Sequence, residues 1–425
     1  MESSGNYLTR IRSFSRNAKL YVTHVFGMDF IYGTWEVLFN LYLLAIGFGF
    51  TFIGLRLLIG GISGALSAIP AASISDRIGR KASFITGDGG GAAFSLIEIT
   101  SISPVVLLVT PIFRGFFGTL HGVSEPPFMA ENSSAPERVH LFSVALGVRT
   151  IASVLGAASI AALPIVNVAL GEKIFYYRLI VGVGIIGWFL SLMPALLLKE
   201  LVKEKRGRER FRLDPLKTLQ SRWTVSRLLL VEGLLSLGAG LTLPFLNAYF
   251  KQGLSVNESY IGSTYATGFF LLAIGSFLAP LASARLGKVR AIFISRTLSV
   301  PFILILAYAS LIPSLATAAL AASVAYVARA SLFNMSNPVS DAFNMEMLLP
   351  SERAAYVGLS SMTRQGLAGL ASLVGGFMMN GGNFVTPFLL MASFYLSSNV
   401  LYLKFFKHAR TPGLEAELQT TAGPH

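Results

Sequence analysis

Apolar stretches of about 20 residues recur along most of this 425-residue chain, with short polar segments between them. An α-helix of that length spans the hydrocarbon core of a bilayer, where only helices and closed barrels satisfy every backbone polar group. Charged residues make up 13% of the chain, well below the roughly 25% of soluble proteins. The sequence therefore predicts an all-α membrane protein and not a soluble enzyme.

Twelve stretches have this length and composition: 20–46, 50–74, 82–101, 104–127, 139–168, 174–198, 224–250, 258–283, 288–311, 314–337, 353–378 and 384–406. Two polar segments fall outside the pattern, one after the sixth stretch and one at the C-terminal end. The predicted organisation has four parts: an N-terminal six-helix half (1–198), a basic cytoplasmic linker (199–223), a C-terminal six-helix half (224–406) and a cytoplasmic tail (407–425).

The basic residues are concentrated on one side of the predicted membrane. Of the 34 lysines and arginines, 25 fall in segments that share a side with the N-terminus. Cytoplasmic loops carry such an excess, so we predict a multi-pass protein of the cell membrane with both termini in the cytoplasm. The linker then lies on the anionic inner leaflet and does not bind nucleic acid.

Cysteine is absent from the sequence, which excludes disulfides and thiolate metal sites. The five histidines lack metal-ligand spacing, and no glycine loop of the Walker type is present. We therefore predict neither a metal nor a cofactor.

The two halves repeat one another in sequence. A shift of about 208 residues aligns the first three spans of each half, and a shift of 215 aligns the next two. The aligned positions keep their residue type: Arg77 with Arg285, Gly79 with Gly287, Arg114 with Arg329, and Arg149 with Arg364. The pattern predicts two six-helix bundles related as parallel repeats.

The segment between the second and third spans runs Asp-Arg-Ile-Gly-Arg-Lys from Asp76 to Lys81. It resembles the D-R-x-G-R-[RK] motif of the major facilitator superfamily, although Ala72 stands where that family usually has glycine. The resemblance implies a twelve-helix secondary transporter that works by alternating access. It also implies a cytoplasmic gate of Asp76, Arg77, Gly79, Arg80, Lys81, Arg285 and Gly287, in which Asp76 belongs to an ion-pair latch.

Acidic residues within the spans are the candidates for proton binding. Asp29, Glu36 and Asn40 lie on one stripe of the first span, and Glu232 lies in the seventh. In the family that this chain resembles, the first helix of each half lines the central cavity. A carboxylate buried there suits proton binding. The alternative is that Asp29, near the cytoplasmic end, is solvated or paired.

Arginines within the spans are the second group of candidates. Arg114, four residues before Gly118, resembles the fourth-helix R-x-x-x-G pattern that the family ties to proton handling; a bond to neighbouring carbonyls is the structural alternative. Arg149 and its repeat mate Arg364 either pair with Asp29 or Asp88, or face the solute.

Three further polar residues are expected to have structural roles. Asp88 and Arg296 occupy equivalent positions of the third and ninth spans, where structural pairing is expected. His121, on the same face of the fourth span as Arg114, is expected to be a packed or hydrogen-bonded residue.

The combined prediction is a monomeric secondary transporter of a small organic solute, coupled to protons. The intramembrane arginines (Arg114, Arg149, Arg329 and Arg364) outnumber the cavity carboxylates, which favours an anionic or zwitterionic solute. A drug–proton antiporter is the alternative, although the fifth span keeps Gly147 and Gly156 without the G-P-x-x-G-G motif of that group. A membrane sensor that kept the fold and transports nothing is a second alternative.

Overall fold

The computed structural model describes residues 14–161, 169–200, 219–349 and 352–408. Within these ranges the regular elements are helices: α1 (Arg16–Ala45), α2 (Phe50–Ile78), α3 (Arg80–Thr100), α4 (Pro104–Glu131), α5 (Ala135–Ala161), α6 (Leu170–Leu196), α7 (Arg222–Thr242), α8 (Leu246–Gln252), α9 (Glu258–Leu286), α10 (Lys288–Leu298), α11 (Val300–Ala309), α12 (Leu315–Met335), α13 (Asn337–Glu346), α14 (Arg353–Asn380) and α15 (Val385–Phe406). The chain is thus all-α, as its composition predicts.

These helices form the twelve predicted spans. Three spans consist of two helices each, namely α7 with α8, α10 with α11, and α12 with α13; a 3-10 turn at Leu243–Phe245 joins the first pair. Within the described ranges, eight helical segments are long and apolar enough to cross a membrane. The other four spans, α1, α3, α9 and α14, are 21 to 30 residues long. Residues 162–168 of the predicted fifth span, the linker residues 201–218 and the tail from 409 lie outside the described residues.

The segment after the second span is more helical than its charge suggests. Helix α2 continues through Asp76 and Arg77 to Ile78, so the expected charged loop reduces to Gly79, whose φ is +94°. Glycine adopts that conformation without a steric penalty. The Glu200 carboxylate accepts hydrogen bonds from the backbone N–H groups of Arg80 (2.8 Å) and Lys81 (3.1 Å), which caps the N-terminus of α3.

The chain forms two compact units. The first contains residues of Met1–Phe48, Leu66–Arg210 and Asn257–Phe269, and the second contains residues of Gly49–Ala65, Phe211–Val256 and Phe270–His425. The first unit therefore holds α1, α3 to α6 and parts of α2 and α9. The second unit holds α7, α8, α10 to α15 and the remaining parts of α2 and α9.

Each unit contains a close helix pair at the same repeat position. In the first unit a Cβ on Gly33 of α1 would lie 2.2 Å from the carbonyl oxygen of Ser153 on α5. In the second, a Cβ on Gly240 of α7 would lie 2.3 Å from the carbonyl oxygen of Ala368 on α14. Small residues let membrane helices approach this closely. The backbones of α1 and α5, and those of α7 and α14, are therefore in direct contact.

The repeat extends to individual hydrogen bonds. The Arg138 guanidinium donates to the carbonyl oxygen of Ala130 (3.2 Å), and the Arg353 guanidinium donates to that of Met345 (2.9 Å). Donor and acceptor are each 215 residues apart between the units. Two ion pairs follow the repeat as well: Arg80 with Glu131, and Lys288 with Glu346. The internal repeat inferred from sequence is therefore present in the contacts of the folded chain.

Candidate functional site

An arginine of α5 holds two carboxylates from different helices of the first unit. Arg149 Nη2 lies 2.7 Å from Glu125 Oε2 on α4, and Arg149 Nε lies 3.5 Å from Asp29 Oδ2 on α1. Arg149 Nη2 also lies 3.4 Å from the hydroxyl of Tyr21. We call these four residues the Arg149 cluster. Of the two roles left open for Arg149, this geometry gives it a pairing with Asp29.

Two histidines share one aspartate next to this cluster. Oδ2 of Asp88 on α3 lies 2.9 Å from His24 Nε2 on α1 and 2.8 Å from His121 Nδ1 on α4. His24 Nδ1 lies 2.7 Å from the carbonyl oxygen of Ser191, and the Trp188 indole donates to Asp88 Oδ1 at 3.4 Å. We call His24, Asp88 and His121 the histidine triad. All three are buried, with 0%, 1% and 6% of their surface exposed.

The triad and the Arg149 cluster touch at one point. His121 Nε2 lies 3.8 Å from Glu125 Oε2 and has no hydrogen-bond partner among the described residues. His121 is thus a hydrogen-bonded histidine, as expected, but it also stands between two groups of ionisable side chains. The sequence placed His121 and Glu125 on one helix face, and it did not indicate that Asp88 and His24 meet them.

The triad also brings three metal-ligand atoms within 4.8 Å of one another. Its nitrogen–oxygen separations of 2.8 and 2.9 Å are hydrogen-bond distances. Two ligands about 2.0–2.1 Å from a tetrahedral zinc ion would stand about 3.3 Å apart. The geometry therefore fits shared protons better than a metal ion.

Arg114 of α4 pairs with a carboxylate that the sequence reasoning missed. Its Nη1 lies 2.7 Å from Oε2 of Glu98, a fully buried residue of α3 that also accepts from the Thr110 hydroxyl at 2.8 Å. The Arg114 guanidinium lies 4.0 Å from the centre of the Trp35 ring, a cation–π distance. Glu36, half-buried on α1, has Arg114 as its charged neighbour.

The second unit encloses a cavity of about 680 Å³. Its walls come from α7, the 3-10 turn after it, α10 and α12 to α15, and they combine charged, amide, hydroxyl and aromatic side chains. The polar lining residues are Glu232, Ser236, Arg296, Arg329, Asn334, Asn337, Ser340, Asp341, Asn344, Tyr356, Ser360, Arg364 and Tyr395. Cavities of about 300–1,000 Å³ are typical of small-molecule sites.

Glu232 is the most heavily hydrogen-bonded carboxylate of this cavity wall. It accepts from the hydroxyl of Tyr356 at 2.6 Å, from the hydroxyl of Ser360 and from the amide of Asn344 at 3.3 Å. Arg364 Nη1 lies 3.8 Å from Glu232 Oε2, and the Arg364 side chain is about half exposed. The Arg364 guanidinium is therefore paired only loosely and remains accessible from the cavity.

The other two arginines of the cavity are buried. Arg296 donates through Nε to the hydroxyl of Ser336 at 2.9 Å, and Arg329 donates through Nη2 to the hydroxyl of Tyr395 at 3.3 Å. Both guanidiniums lie 5.5 Å from the centre of the Phe333 ring. The Nε of Arg329 has no hydrogen-bond partner among the described residues. A buried N–H without an acceptor is unfavourable, especially on a charged group. A ligand oxygen that accepts a hydrogen bond from it is therefore bound more tightly.

Two of the predicted gate residues, Asp76 and Arg80, form ion pairs in the first unit. Asp76 Oδ1 lies 3.0 Å from Arg80, one turn further on, and Arg80 also lies 3.6 Å from Glu131. Arg285 is exposed at the end of α9, and Gly287 after it has a φ of +77°. The latch function of Asp76 stays a prediction.

No family model and no curated protein matches this sequence. Solved structures do match over nearly the whole chain. The nucleoside transporter NupG shares 15% identity, with a TM-score of 0.73, over 92% of this chain and 100% of its own. The chain has the fold of the major facilitator superfamily.

Two further structures of this superfamily give the same result. A D-xylose–proton symporter shares 14% identity, with a TM-score of 0.72, over 91% of this chain and 97% of its own. A bacterial homologue of the human lysosomal transporter Spinster shares 15% identity, with a TM-score of 0.64, over 95% of this chain and 99% of its own. The major facilitator fold thus places the charged groups described above on helices of two related six-helix bundles.

Proposed function

We propose that this protein is a secondary active transporter that carries a small organic solute by alternating access and is coupled to protons. The observation that carries the proposal is the cavity of the second unit, with three arginines on its wall in a chain of membrane spans. A charge inside a span costs about 2.5–3.5 kcal/mol on insertion scales. Such charges are found where they pair with another group or line a pathway for a substrate or an ion.

The lining favours a solute with an anionic group. Arg296, Arg329 and Arg364 face Glu232 and Asp341, so the formal charge of the cavity wall is positive. Guanidinium groups bind carboxylates and phosphates through paired hydrogen bonds. The acidic side chains and the amides leave room for a cationic or hydroxyl-rich part of the same solute. A lipophilic cation, the cargo of many drug antiporters, would meet the wrong sign of charge.

We assign proton coupling to the first unit. The Arg149 cluster pairs two carboxylates with one guanidinium, so one carboxylate can be protonated without leaving Arg149 unpaired. Glu36 beside Arg114 is the second coupling candidate. A carboxylate that moves between an arginine and an apolar wall changes its proton affinity, which is the physical requirement for coupling.

The direct test is a screen of the purified protein for thermal stabilisation by organic acids, amino acids, sugars, nucleosides and lipophilic cations. A ligand that binds the folded state raises the midpoint of unfolding. Each stabilising compound is then offered to liposomes that contain the protein, with and without an imposed pH gradient. Uptake of an anionic or zwitterionic compound that increases with the gradient supports the proposal. Stabilisation by lipophilic cations would identify a drug antiporter, and binding without flux would identify a sensor.

The proposal includes a monomer in the cell membrane with both termini in the cytoplasm. Because the chain has no cysteine, single cysteines report orientation without background. We expect a cysteine at Ser134 to react with impermeant thiol reagents only from the cytoplasm, and one at Asn257 only from outside. Both positions are exposed. The reverse labelling pattern would overturn the orientation.

A further inference from the structure

One buried arginine on the wall of the second unit's cavity has an N–H group without an acceptor. Arg329 is 4% exposed, and its Nη2 donates to the hydroxyl of Tyr395 at 3.3 Å, which is a long hydrogen bond. Its Nε has no partner among the described residues. A buried donor on a charged group is costly to leave unpaired. The Arg329 guanidinium therefore favours a solute that brings an acceptor.

A buried asparagine of the same wall has an acceptor without a donor. Asn344 is 3% exposed, and its Nδ2 lies 3.3 Å from Glu232 Oε1 and 3.1 Å from the Tyr356 hydroxyl. That hydroxyl donates its proton to Glu232 at 2.6 Å, so both neighbours of the amide can only accept. The group of Asn344 that faces them is therefore its NH₂. The amide oxygen, Oδ1, has no donor among the described residues.

The two side chains lack opposite partners. Both line the cavity of about 680 Å³, Arg329 from α12 and Asn344 from α13. The first needs an acceptor and the second needs a donor. A solute that carries only one of these groups leaves the other buried atom unpaired, which weakens its binding. The cavity therefore favours solutes that carry both groups.

The surroundings of Arg329 are positive. The guanidiniums of Arg296 and Arg329 both lie 5.5 Å from the centre of the Phe333 ring, so two positive charges share this part of the wall. Hydrogen bonds from a guanidinium to an ionised acceptor are roughly twice as strong as those to a neutral one. The acceptor that fits Arg329 is therefore a carboxylate.

The surroundings of Asn344 are negative. Its Nδ2 contacts Glu232, which accepts from neutral donors and pairs only loosely with Arg364. Asp341, exposed on the same wall, has Arg364 and Glu232 among its charged neighbours. Two carboxylates and one guanidinium leave one negative charge. A protonated amine at Oδ1 is attracted by that charge as well as by the hydrogen bond, whereas a hydroxyl forms only the hydrogen bond.

We propose that the cavity binds an amino-carboxylic acid at two points: the carboxylate at Arg329 and the protonated amine at Asn344 Oδ1. The two residues then determine specificity for zwitterions over simple anions. That such a solute is also carried across the membrane rests on the proposed function. Its recognition is a binding property, which is measured without flux.

The experiment measures binding to the purified full chain in detergent, by thermal unfolding and then by calorimetric titration. The probes are alanine, phenylalanine and trialanine, which differ in size. Each is compared with its C-terminal amide, which keeps only the positive charge, and with its N-acetyl derivative, which keeps only the negative charge. We expect at least one zwitterion to bind, and its two derivatives to bind roughly 5- to 150-fold more weakly, because each leaves one buried group unpaired.

Variants identify which residue binds which group. In Arg329→Met the zwitterion should bind as weakly as its amide, and the amide should bind as it does to the wild type. In Asn344→Leu the zwitterion should bind as weakly as its N-acetyl derivative; Asn344→Ser makes the same test with a smaller polar residue. Asn399→Leu is the matched control, because Asn399 is a buried asparagine whose amide oxygen also lacks a donor but which does not line the cavity. It should bind all probes as the wild type does.

Three results would overturn the proposal. They are an N-acetyl derivative that binds as tightly as its zwitterion, an amide that does so, and a wild-type protein that binds no zwitterion of the series at millimolar concentration. Liposomes that show no uptake of a bound zwitterion would refute the proposed function and leave the binding site standing. Uptake driven by a pH gradient of an N-acetylated acid that binds as well as its parent would refute the site and leave the function standing.

Discussion

The two units place different chemistry on the same scaffold positions. Asp88 and His121 of the first unit correspond to Arg296 and Ser336 of the second, and each pair is in hydrogen-bond contact, at 2.8 and 2.9 Å. The first pair can gain or lose a proton. In the second pair arginine keeps its charge at every physiological pH. At these positions, therefore, one unit can change its charge and the other cannot.

The difference continues along the fourth and tenth spans. Glu125, which pairs with Arg149, corresponds to Ser340, which lies on the cavity wall of the second unit. A duplicated bundle thus keeps its backbone contacts while its polar residues differ, and the proposed function divides them into a proton-handling set and a solute-handling set. This division leads to four predictions.

The largest effect is expected from Glu36→Gln in the first unit. The amide cannot take up a proton, so accumulation driven by a pH gradient should be lost, while binding and energy-independent exchange continue. Counterflow and pH-jump uptake in the same liposomes measure the two activities, and Glu172→Gln at an exposed position is the control. A variant that still concentrates the solute would move the coupling site to Asp29 or Glu232.

Arg329→Met in the second unit should weaken solute binding and leave the response to protons intact. A hydrogen bond to a charged group contributes about 1.5–3 kcal/mol, so we expect the dissociation constant to rise by roughly 10- to 100-fold. Calorimetric titration with the compound found in the thermal screen measures it. Arg290→Met, an exposed arginine of α10, should bind as the wild type does. Loss of the response to protons in Arg329→Met would mean that the two sets are not separate.

The repeated arginine–carbonyl bonds test whether equivalent contacts have equivalent strength. Arg353 is partly buried where it donates to Met345, whereas Arg138 is exposed where it donates to Ala130. We expect Arg353→Ala to cost about 1–2 kcal/mol of stability and Arg138→Ala clearly less, because water replaces the lost partner at the exposed site. Thermal unfolding in one detergent compares them. Equal losses would show that burial does not separate the two contacts.

The smallest effect is expected from Asp76→Asn. The side chain of Asp76 is 68% exposed and its pair with Arg80 is within one helix, a kind of contact worth about 0–1 kcal/mol. We expect folding to be unchanged, with slower turnover and a modest shift toward inward-facing conformers if Asp76 acts as a latch. Distances between spin labels on the second and eleventh spans measure the shift. Unchanged distances together with unchanged transport would make Asp76 an ordinary surface residue.

The spans were predictable from the sequence because long apolar segments permit little else in lipid. Most predicted boundaries lie within about four residues of the observed ends, a normal uncertainty for such assignments. The breaks at Ser299 and Ser336, each two residues before a proline, were not predicted, although Pro301 and Pro338 were visible signals. A proline alone does not predict such a break, because helix α4 continues through Pro111.

The partners of the charged residues were harder to predict. Glu98 stands 16 residues before Arg114, on another helix, and nothing in the spacing shows that the two helices turn these faces toward each other. The same holds for His24 and Asp88. The repeat contained one usable signal: Asp88 and His121 align with Arg296 and Ser336, so a contact in one half implies a contact in the other.

The contact between Gly33 and Ser153 sets the dimensions of the neighbouring charge pair. Asp29 lies one turn before Gly33 on α1, and Arg149 lies one turn before Ser153 on α5. Because the two backbones touch, the gap that the Asp29 and Arg149 side chains must bridge is fixed by main-chain atoms. A single methyl group on Gly33 would widen that gap at a point where no charge is altered. The strength of the Asp29–Arg149 ion pair therefore depends on Gly33, a residue that has no side chain.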